Sequence, residues 1–435
     1  MDNSSSFVET ILNIWNAGNS VALFDMRWPI LKIIETMRDI GSDECYIDDD
    51  ILEKNRGFIP NDIKINQLLH NNGMQYLSDN IFELFNHKTN KEEAVILFSS
   101  GTTGVAKGIM LSHEAIYMNA SKVIEYMKPN NNDTIFITKP LIHSSTLVGE
   151  LLVSLITKTK LLISSSKILP QKILRVIANE KVTILCTNPL MLSCLMESNN
   201  DSSKLGNSLR TIYVSGSVSS KEMLTEAARI FENTNIYNVY GFTEAGPRVS
   251  GPINEDRYVI GSVGQPLPGV SIKILDNNGK EVAPHERGCV FVNTPCRFTG
   301  YAISTFKGNE NNHEWINSKD IGYFDAKGNL YIVGRLDNAI LISSHVVYPE
   351  QIENIISEHE RICKCCIIGI KDYLHSEIMC CFYESSHSMN VVEIKKFCKE
   401  KLASYEIPQR FIRVDKIPAN TNGKIDRKKL KEKFL

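Results

Sequence analysis

From about residue 91 onward, short apolar runs alternate with segments whose apolar positions recur at helical spacing. AVILF (Ala94 to Phe98), TIFIT (Thr134 to Thr138), KLLIS (Lys160 to Ser164), VTILC (Val182 to Cys186), TIYV (Thr211 to Val214) and NIYNVY (Asn235 to Tyr240) read as buried strands. Between them, Val148, Leu151, Leu152 and Leu155 keep the i, i+3, i+4, i+7 pattern of one helix face, and Pro170 opens another helix at its tolerated first turn. Strand and helix in alternation predict crossover units around a largely parallel sheet covered on both faces, an α/β fold. After residue 250 the texture changes to Gly and Pro punctuation with short strands, and Asp276 to Gly279 in SIKILDNNGKEV reads as a hairpin turn. The last hundred residues mix helices (Pro349 to Glu358, Val391 to Leu402) with short strands, as a small α+β domain joined near GRLDN would. The expected organisation is a large N-terminal region over 1–336, carrying a β-rich annex from about 250, and a small C-terminal domain over 337–435.

The chain has 435 residues, 43% hydrophobic and 23% charged, a balance that excludes wholesale disorder, collagen and coiled coil. Forty-eight Lys and Arg against 50 Asp and Glu leave a net charge of −2, so there is no electrostatic footprint for duplex nucleic acid. Charge-free stretches such as Val182 to Met196 are short and broken by Asn188 and Pro189, which predicts no bilayer span. The start, MDNSSSFVET, lacks the basic n-region of a signal peptide, and a soluble cytoplasmic protein is expected. Eleven cysteines in that setting read as reduced thiols. The Cys363 to Cys366 spacing has no second pair to complete a zinc site, and CKCCIIGI and EIMCCFYE read as adjacent strands in which Cys serves as a small buried hydrophobe.

Chemistry concentrates in ILFSSGTTGVAKGIMLSH, Ile96 to His113, where a buried strand runs into ten residues dominated by Gly, Ser, Thr and Lys, followed by a helix beginning near Ser112. Gly101 and Gly104 let backbone N–H groups turn inward, Ser99, Ser100, Thr102 and Thr103 add hydroxyl donors, and Lys107 supplies charge, which together predict an anion cradle. It is not a Walker loop, because Ala106 and Lys107-Gly108 stand where that pattern requires Gly and Lys-Ser/Thr. A second cluster lies at a later strand end, in NVYGFTEAG. There Asn238 suits a purine edge, Tyr240 can stack on a base, Thr243 can reach a phosphate, and Glu244 is a hard oxygen ligand suited to Mg²⁺.

SSGTTGVAKG, NVYGFTE, KDIGYFDAKGNLYIVGRLDN and PANTNGKIDR stand in the order and approximate spacing of the adenylate-forming superfamily, which includes acyl-CoA synthetases, stand-alone adenylation domains and luciferases. The chain resembles that superfamily from about residue 92 to its end. The resemblance implies that the Ser99 to Gly108 loop holds the ATP β- and γ-phosphates, Thr243 the α-phosphate and Glu244 the Mg²⁺, with Gly216, Asn238, Tyr240 and Gly241 around the nucleotide. It also implies that Asp320 bonds the ribose hydroxyls, that Arg335 supports ribose and phosphate, that Asp337 is the hinge, and that Lys424 is the mobile lysine of the first half-reaction. His143, Ser144, Asn188, Ser215 and Phe242 would border the acyl site.

The activity implied is ATP-dependent conversion of a carboxylic acid to an acyl-adenylate and transfer of the acyl group to a thiol. Coenzyme A is the leading acceptor, and the phosphopantetheine arm of an acyl carrier protein is the alternative. A catalytically silent partner that binds nucleotide or protein is the reading from another class. Superfamily members that activate α-amino acids place an Asp near the start of the helix after the His143 position to pair with the ammonium, and PLIHSSTLVG has none, so the resemblance disfavours α-amino acids and implies an aryl, fatty or polyketide-derived acid. A monomer and a homodimer are equally compatible with the sequence. The chain departs from the superfamily pattern at Ala106 (usually Pro), at Lys319 (Gly in Thr-Gly-Asp relatives), at Ser343 and Ser344 (often glycines lining the pantetheine path), and in a short segment before the phosphate loop.

Overall fold

A computed structural model describes the chain apart from residues 1, 69–73, 87–91, 101–105, 199–207, 304–313, 343–344, 373–375, 386–388, 420–423 and 435. The backbone divides into two compact units. One comprises Met1–Gly216, Glu226–Ile272 and Val292–Ile316, and the other Ser217–Thr225, Lys273–Phe291 and Asn317–Leu435.

The first unit is built on a six-stranded sheet in the order Asn235–Asn238, Thr211–Val214, Ile184–Thr187, Thr134–Ile137, Lys160–Ile163 and Gln75–Tyr76. Its first five strands are parallel, and Gln75–Tyr76 closes the edge antiparallel. All four residues of Thr134–Ile137, Ile184–Thr187 and Thr211–Val214 are buried, as expected for strands covered on both faces. The covering helices follow local signals. His113–Met127 starts where the Ser112 hydroxyl accepts the Ala115 N–H at 3.1 Å. Pro170–Asn179 begins on its proline and buries Ile173, Val176 and Ile177.

Two expectations for this unit need correction. The segment after the phosphate loop is a strand, Ala106–Ser112, antiparallel to Glu93–Ser100 with Ser99 opposite Lys107 and Ser100 opposite Ala106. The motif is a hairpin, not strand–loop–helix, and seven residues separate the loop from the helix that starts at His113. The reason is a period of two: Ile109 and Leu111 are fully buried, and Gly108 lies where a Cβ would come within 3.1 Å of Phe98 and Ala302. The helix read from Val148 to Leu155 is also not uniform. It runs as Ser144–Thr146, a π-helical turn Leu147–Leu152, and Val153–Thr157.

A meander of Ser271–Leu275, Gly288–Asn293, Ile316–Phe324 and Leu330–Arg335, most of whose residues belong to the second unit, forms a four-stranded sheet. The turn at Asp276 to Gly279 is as predicted, with Gly279 at φ 77° and its N–H on the Asp276 carbonyl at 3.0 Å. The strand pair Lys364–Asp372 and Ser376–Glu384, with Arg410–Arg413 beside it, carries the cysteines as packing residues. Cys365 and Cys381 enter one apolar core with Ile367 and Ile394, while Cys366 and Cys380 enter another with Phe382 and Leu430. The helices Pro349–Ile356 and Val391–Lys401 occur close to their predicted bounds. No helix among the described residues is long and apolar enough to cross a membrane.

Candidate active site

In the first unit, the segment that leaves the strand Asn235–Asn238 folds back on itself. Val249 N–H donates to the Tyr240 carbonyl at 2.9 Å, and Phe298 N–H donates to the Glu244 carbonyl at 2.9 Å. The turn tolerates no side chain at two positions. A Cβ on Gly241 would lie 1.7 Å from the Pro247 carbonyl oxygen, and one on Gly246, at φ 95°, would lie 2.3 Å from the Cys296 carbonyl oxygen. Thr243–Ala245 forms a single 3₁₀ turn that carries Thr243 and Glu244, both half-buried. The Thr243 hydroxyl bonds the Ser144 hydroxyl at 2.9 Å, so two residues singled out separately in the sequence meet across 99 positions.

The other candidates of this unit take distinct places. Asn238 is buried, and its backbone N–H donates to the Tyr258 hydroxyl at 2.7 Å. The rings of Tyr240 and Phe242 are 6.2 Å apart and tilted. His143 precedes the helical run, its carbonyl accepting from Thr146 and Leu147 at 2.9 Å. The Asn188 side chain caps the helix Pro189–Ser198 by accepting the Met191 N–H at 2.8 Å. Ser215 donates its N–H to the Thr187 carbonyl at 3.0 Å, and Gly216 follows at φ 101° with open space where a Cβ would point. The Lys107 ammonium sits 5.1 Å from the centroid of the Tyr301 ring. Gly101, Thr102, Thr103 and Gly104 lie outside the described residues, and Ser99 and Ser100 are described as backbone.

In the second unit, Asp320 and Arg335 are cross-strand neighbours. Arg335 Nη1 donates to Asp320 Oδ1 at 3.0 Å and to the Ser318 carbonyl at 3.2 Å, while Nη2 lies 3.6 Å from Asp337 Oδ2. Asp320 is 6% exposed, and its N–H is held by the Ser318 hydroxyl at 3.0 Å. Lys319, before it, adopts φ 59°, the left-handed conformation that a glycine takes readily. Lys424 keeps solvent exposure, yet the protein packed around its ammonium holds its pKa below the ordinary lysine value. The Asp320 carboxylate opposes that shift and Arg335 reinforces it, so Lys424 lies within the electrostatic field of both. Ser343 and Ser344 lie outside the described residues.

Sequence reasoning passed over Ser318, whose hydroxyl orders Asp320. It also passed over Glu150, although a lone acid inside TLVGELLVSLI was a visible signal.

Each unit thus carries its own polar cluster, Ser144 with Thr243 in the first and Asp320 with Arg335 in the second. A family model described as "AMP-binding enzyme" matches residues 1–302 and one described as "AMP-binding enzyme C-terminal domain" matches 351–424; the chain belongs to this family, within the adenylate-forming superfamily. It is 29% identical over 341 residues to a 2-succinylbenzoate–CoA ligase of Bacillus licheniformis, covering 78% of this chain and 70% of that protein. It is 27% identical over 354 residues to a fatty acid–[acyl-carrier-protein] ligase of Streptomyces coeruleorubidus, covering 78% and 67%. Among solved structures, the o-succinylbenzoate coenzyme A synthetase of Bacillus subtilis in complex with ATP and magnesium ion superposes with a TM-score of 0.83 at 22% identity, covering 99% of this chain and 88% of that one. An anthranilate CoA ligase in complex with anthranoyl-AMP gives 0.88 at 20%, covering 100% and 86%. At those identities the likeness is one of fold.

The donor chemistry fits Mg²⁺ carried with a nucleotide. Among the described residues no cluster of three or more His, Cys, Asp or Glu side chains could hold a metal by itself, whereas Glu244 offers a single hard carboxylate. Mg²⁺ is commonly held by one or two protein carboxylates with substrate phosphates completing its shell.

Proposed function

We propose that this AMP-forming acid–thiol ligase joins a carboxylic acid, most simply an aryl or fatty one, to coenzyme A in two half-reactions. In the first, the acid's carboxylate oxygen bonds to the α-phosphorus of ATP and pyrophosphate leaves. In the second, a thiol sulfur attacks the acyl carbon of the mixed anhydride, the thiol proton is released, and AMP leaves. The observation that carries the reading is the Asp320–Arg335 pair at 3.0 Å in the same unit that bears Lys424.

The residues have separable tasks in this scheme. Thr243, fixed by Ser144, contacts the α-phosphate, and the hairpin after Ser99 cradles the outer phosphates. Asp320 accepts from the ribose hydroxyls while Arg335 orients its carboxylate. Glu244 would hold Mg²⁺, whose contribution when bound is to offset phosphate charge. Lys424 faces the charge that builds up as pyrophosphate departs, which in a water-poor site is worth far more than in bulk solvent. His143, Asn188, Ser215 and Phe242 border the acid. Rotation about Asp337, between a region over 1–336 and a domain over 337–435, would exchange Lys424 for the face that receives the thiol.

A carrier-protein phosphopantetheine is the second acceptor, and the similarity to a fatty acid–[acyl-carrier-protein] ligase favours testing it. Hydroxylamine trapping with a panel of aryl and fatty acids reports adenylate formation, and mass spectrometry with free coenzyme A or a holo carrier protein reports the acceptor. Hydroxamate from at least one acid is expected, together with thioester on coenzyme A. A folded, Mg²⁺-supplied protein that yields no hydroxamate from any acid would overturn the reading.

A further inference from the structure

The residues just ahead of the helix Ser5–Asn16 are tied down at several points, although the reaction scheme gives them no role. Asp2, Asn3 and Ser4 are all buried. The Asp2 carboxylate accepts the Ser166 N–H at 3.0 Å, the Ser166 hydroxyl at 2.8 Å and the Ser165 hydroxyl, and the Asp2 N–H donates to the Asp48 carboxylate at 3.0 Å. Asn3 then brackets another stretch of chain: its side-chain NH₂ donates to the Lys139 carbonyl and its side-chain oxygen accepts the Leu141 N–H, both at 2.8 Å. Ser4 ends the strap by capping the helix, its hydroxyl accepting the Phe7 N–H at 3.1 Å.

Its place in the fold gives the strap significance. Residues 138–143 belong to no strand or helix; they leave the parallel strand Thr134–Ile137 at its carboxyl end and lead into Ser144, whose hydroxyl bonds Thr243. Ser165 and Ser166 leave the neighbouring strand Lys160–Ile163 at the same end. Open α/β sheets bind ligands outside that end of their strands. With no ladder beside them, the Lys139 carbonyl and the Leu141 N–H are satisfied by the Asn3 amide, as one strand satisfies its neighbour. Lys139 is held at its other end as well, where its ammonium pairs with the buried Glu150 at 2.8 Å.

Building on the proposed adenylation, we infer that Asn3, anchored by Asp2, is a positioning residue that sets the place of the segment from Lys139 to Ser144 and through it the binding of the acid. Asn3 acts without touching the acid. The backbone it holds carries His143 two residues past Leu141 and Ser144 one residue further, so a shift at the bracket moves both groups together.

The test separates positioning from stability. Asn3→Ala removes the partner of the Lys139 carbonyl and the Leu141 N–H, so the Leu141 amide should exchange faster with solvent deuterium while the amides of the strand Ile184–Thr187 keep wild-type protection. With the aryl or fatty acid of the panel that gives the wild type its highest hydroxamate yield, KM for the acid should rise by about tenfold, the scale of one lost hydrogen bond. A merely structural role would lower the folded fraction and with it the apparent kcat, leaving KM unchanged. Ile177→Val, a core change in the helix Pro170–Asn179, should behave in that second way. Should Asn3→Ala fail to fold, Asn3→Asp, which keeps an acceptor for Leu141 but loses the donor to Lys139, is read by the same two measurements. Wild-type exchange at Leu141, or a wild-type KM for the acid in the folded variant, would overturn the inference. If the wild-type protein itself forms no hydroxamate, the functional reading falls, while the exchange at Leu141 still decides whether Asn3 holds the segment.

Discussion

Arg335 reaches across its strand pair to Asp320 at 3.0 Å and, from its other terminal nitrogen, toward Asp337 at 3.6 Å. One guanidinium thus connects the carboxylate proposed to hold ribose with the residue proposed as the hinge. Asp320→Asn keeps the shape but removes the charge that Arg335 and a ribose would share. Because hydrogen bonds to charged groups contribute about 1.5–3 kcal/mol, ATP affinity measured by calorimetry should fall by about tenfold or more. Unchanged affinity would remove Asp320 from the nucleotide site.

Lys424→Ala should slow acid-dependent pyrophosphate release by about 10² to 10³, the usual consequence of removing one preorganised electrostatic donor. Thiol transfer from a preformed acyl-adenylate should proceed at close to the wild-type rate. Equal loss of both half-reactions would contradict the division of labour between Lys424 and the thiol-facing surface.

Lys319 holds a left-handed φ of 59°, a conformation that costs an L-residue with a Cβ roughly 1–2 kcal/mol. Lys319→Gly relieves that strain but gains freedom in the unfolded chain worth about 0.4–1 kcal/mol. Urea unfolding should therefore show no loss of stability and at most a gain of about 1.5 kcal/mol. Lys319→Val, β-branched at the same φ, should be clearly less stable than wild type.

Asp133 supplies a pH signature. Burial pushes its carboxyl up, but bonds from Arg210 at 2.8 and 2.9 Å, from Thr183 at 2.7 Å and from Asn130 N–H at 2.9 Å outweigh it and hold the pKa below the ordinary aspartate value. A lowered folded-state pKa contributes stability that is complete above the unfolded value, near 4, and is lost as pH falls through the folded one. Chemical denaturation between about pH 5 and 3 should accordingly show a steeper loss for wild type than for Asp133→Asn. Parallel curves would mean that Asp133 does not titrate differently on folding.

Arg427 donates to both carboxylate oxygens of Glu353 at 2.6 Å, three residues past Lys424. Glu353 is 7% exposed and also accepts the Ile367 N–H at 2.6 Å, so the pair anchors the start of the helix Arg427–Phe434 to Pro349–Ile356. Removing one partner of a buried pair typically costs 3–5 kcal/mol. Arg427→Ala should lower the unfolding midpoint accordingly, and Arg427→Lys, which keeps the charge but not the planar guanidinium whose Nη2 reaches both oxygens, should recover only part of it.

Much of this molecule was legible in its sequence because the signals are local. Buried strands such as Thr134–Ile137 and Thr211–Val214 are short apolar runs, Pro170 opens a helix because its φ is preset, and Asp276 to Gly279 turns because Gly279 accepts a positive φ. Membership of the adenylate-forming superfamily was likewise legible in the ordered motifs that hold Glu244, Asp320 and Lys424. The strand Ala106–Ser112 was not, because its alternation is interrupted by Gly108, which looks like loop composition until Phe98 and Ala302 are seen to occupy the space of a side chain.

The sequence by itself determined which segments could be strand, turn or helix and which functional groups the chain possesses, since backbone preference and side-chain chemistry act within a few residues. Only the tertiary structure decided that Ser144 meets Thr243, that Arg335 faces Asp320, and that Lys139 pairs with the buried Glu150. Those pairings depend on sheet register and on which faces close over one another, and these emerge from the simultaneous burial of many distant segments, which no local pattern specifies.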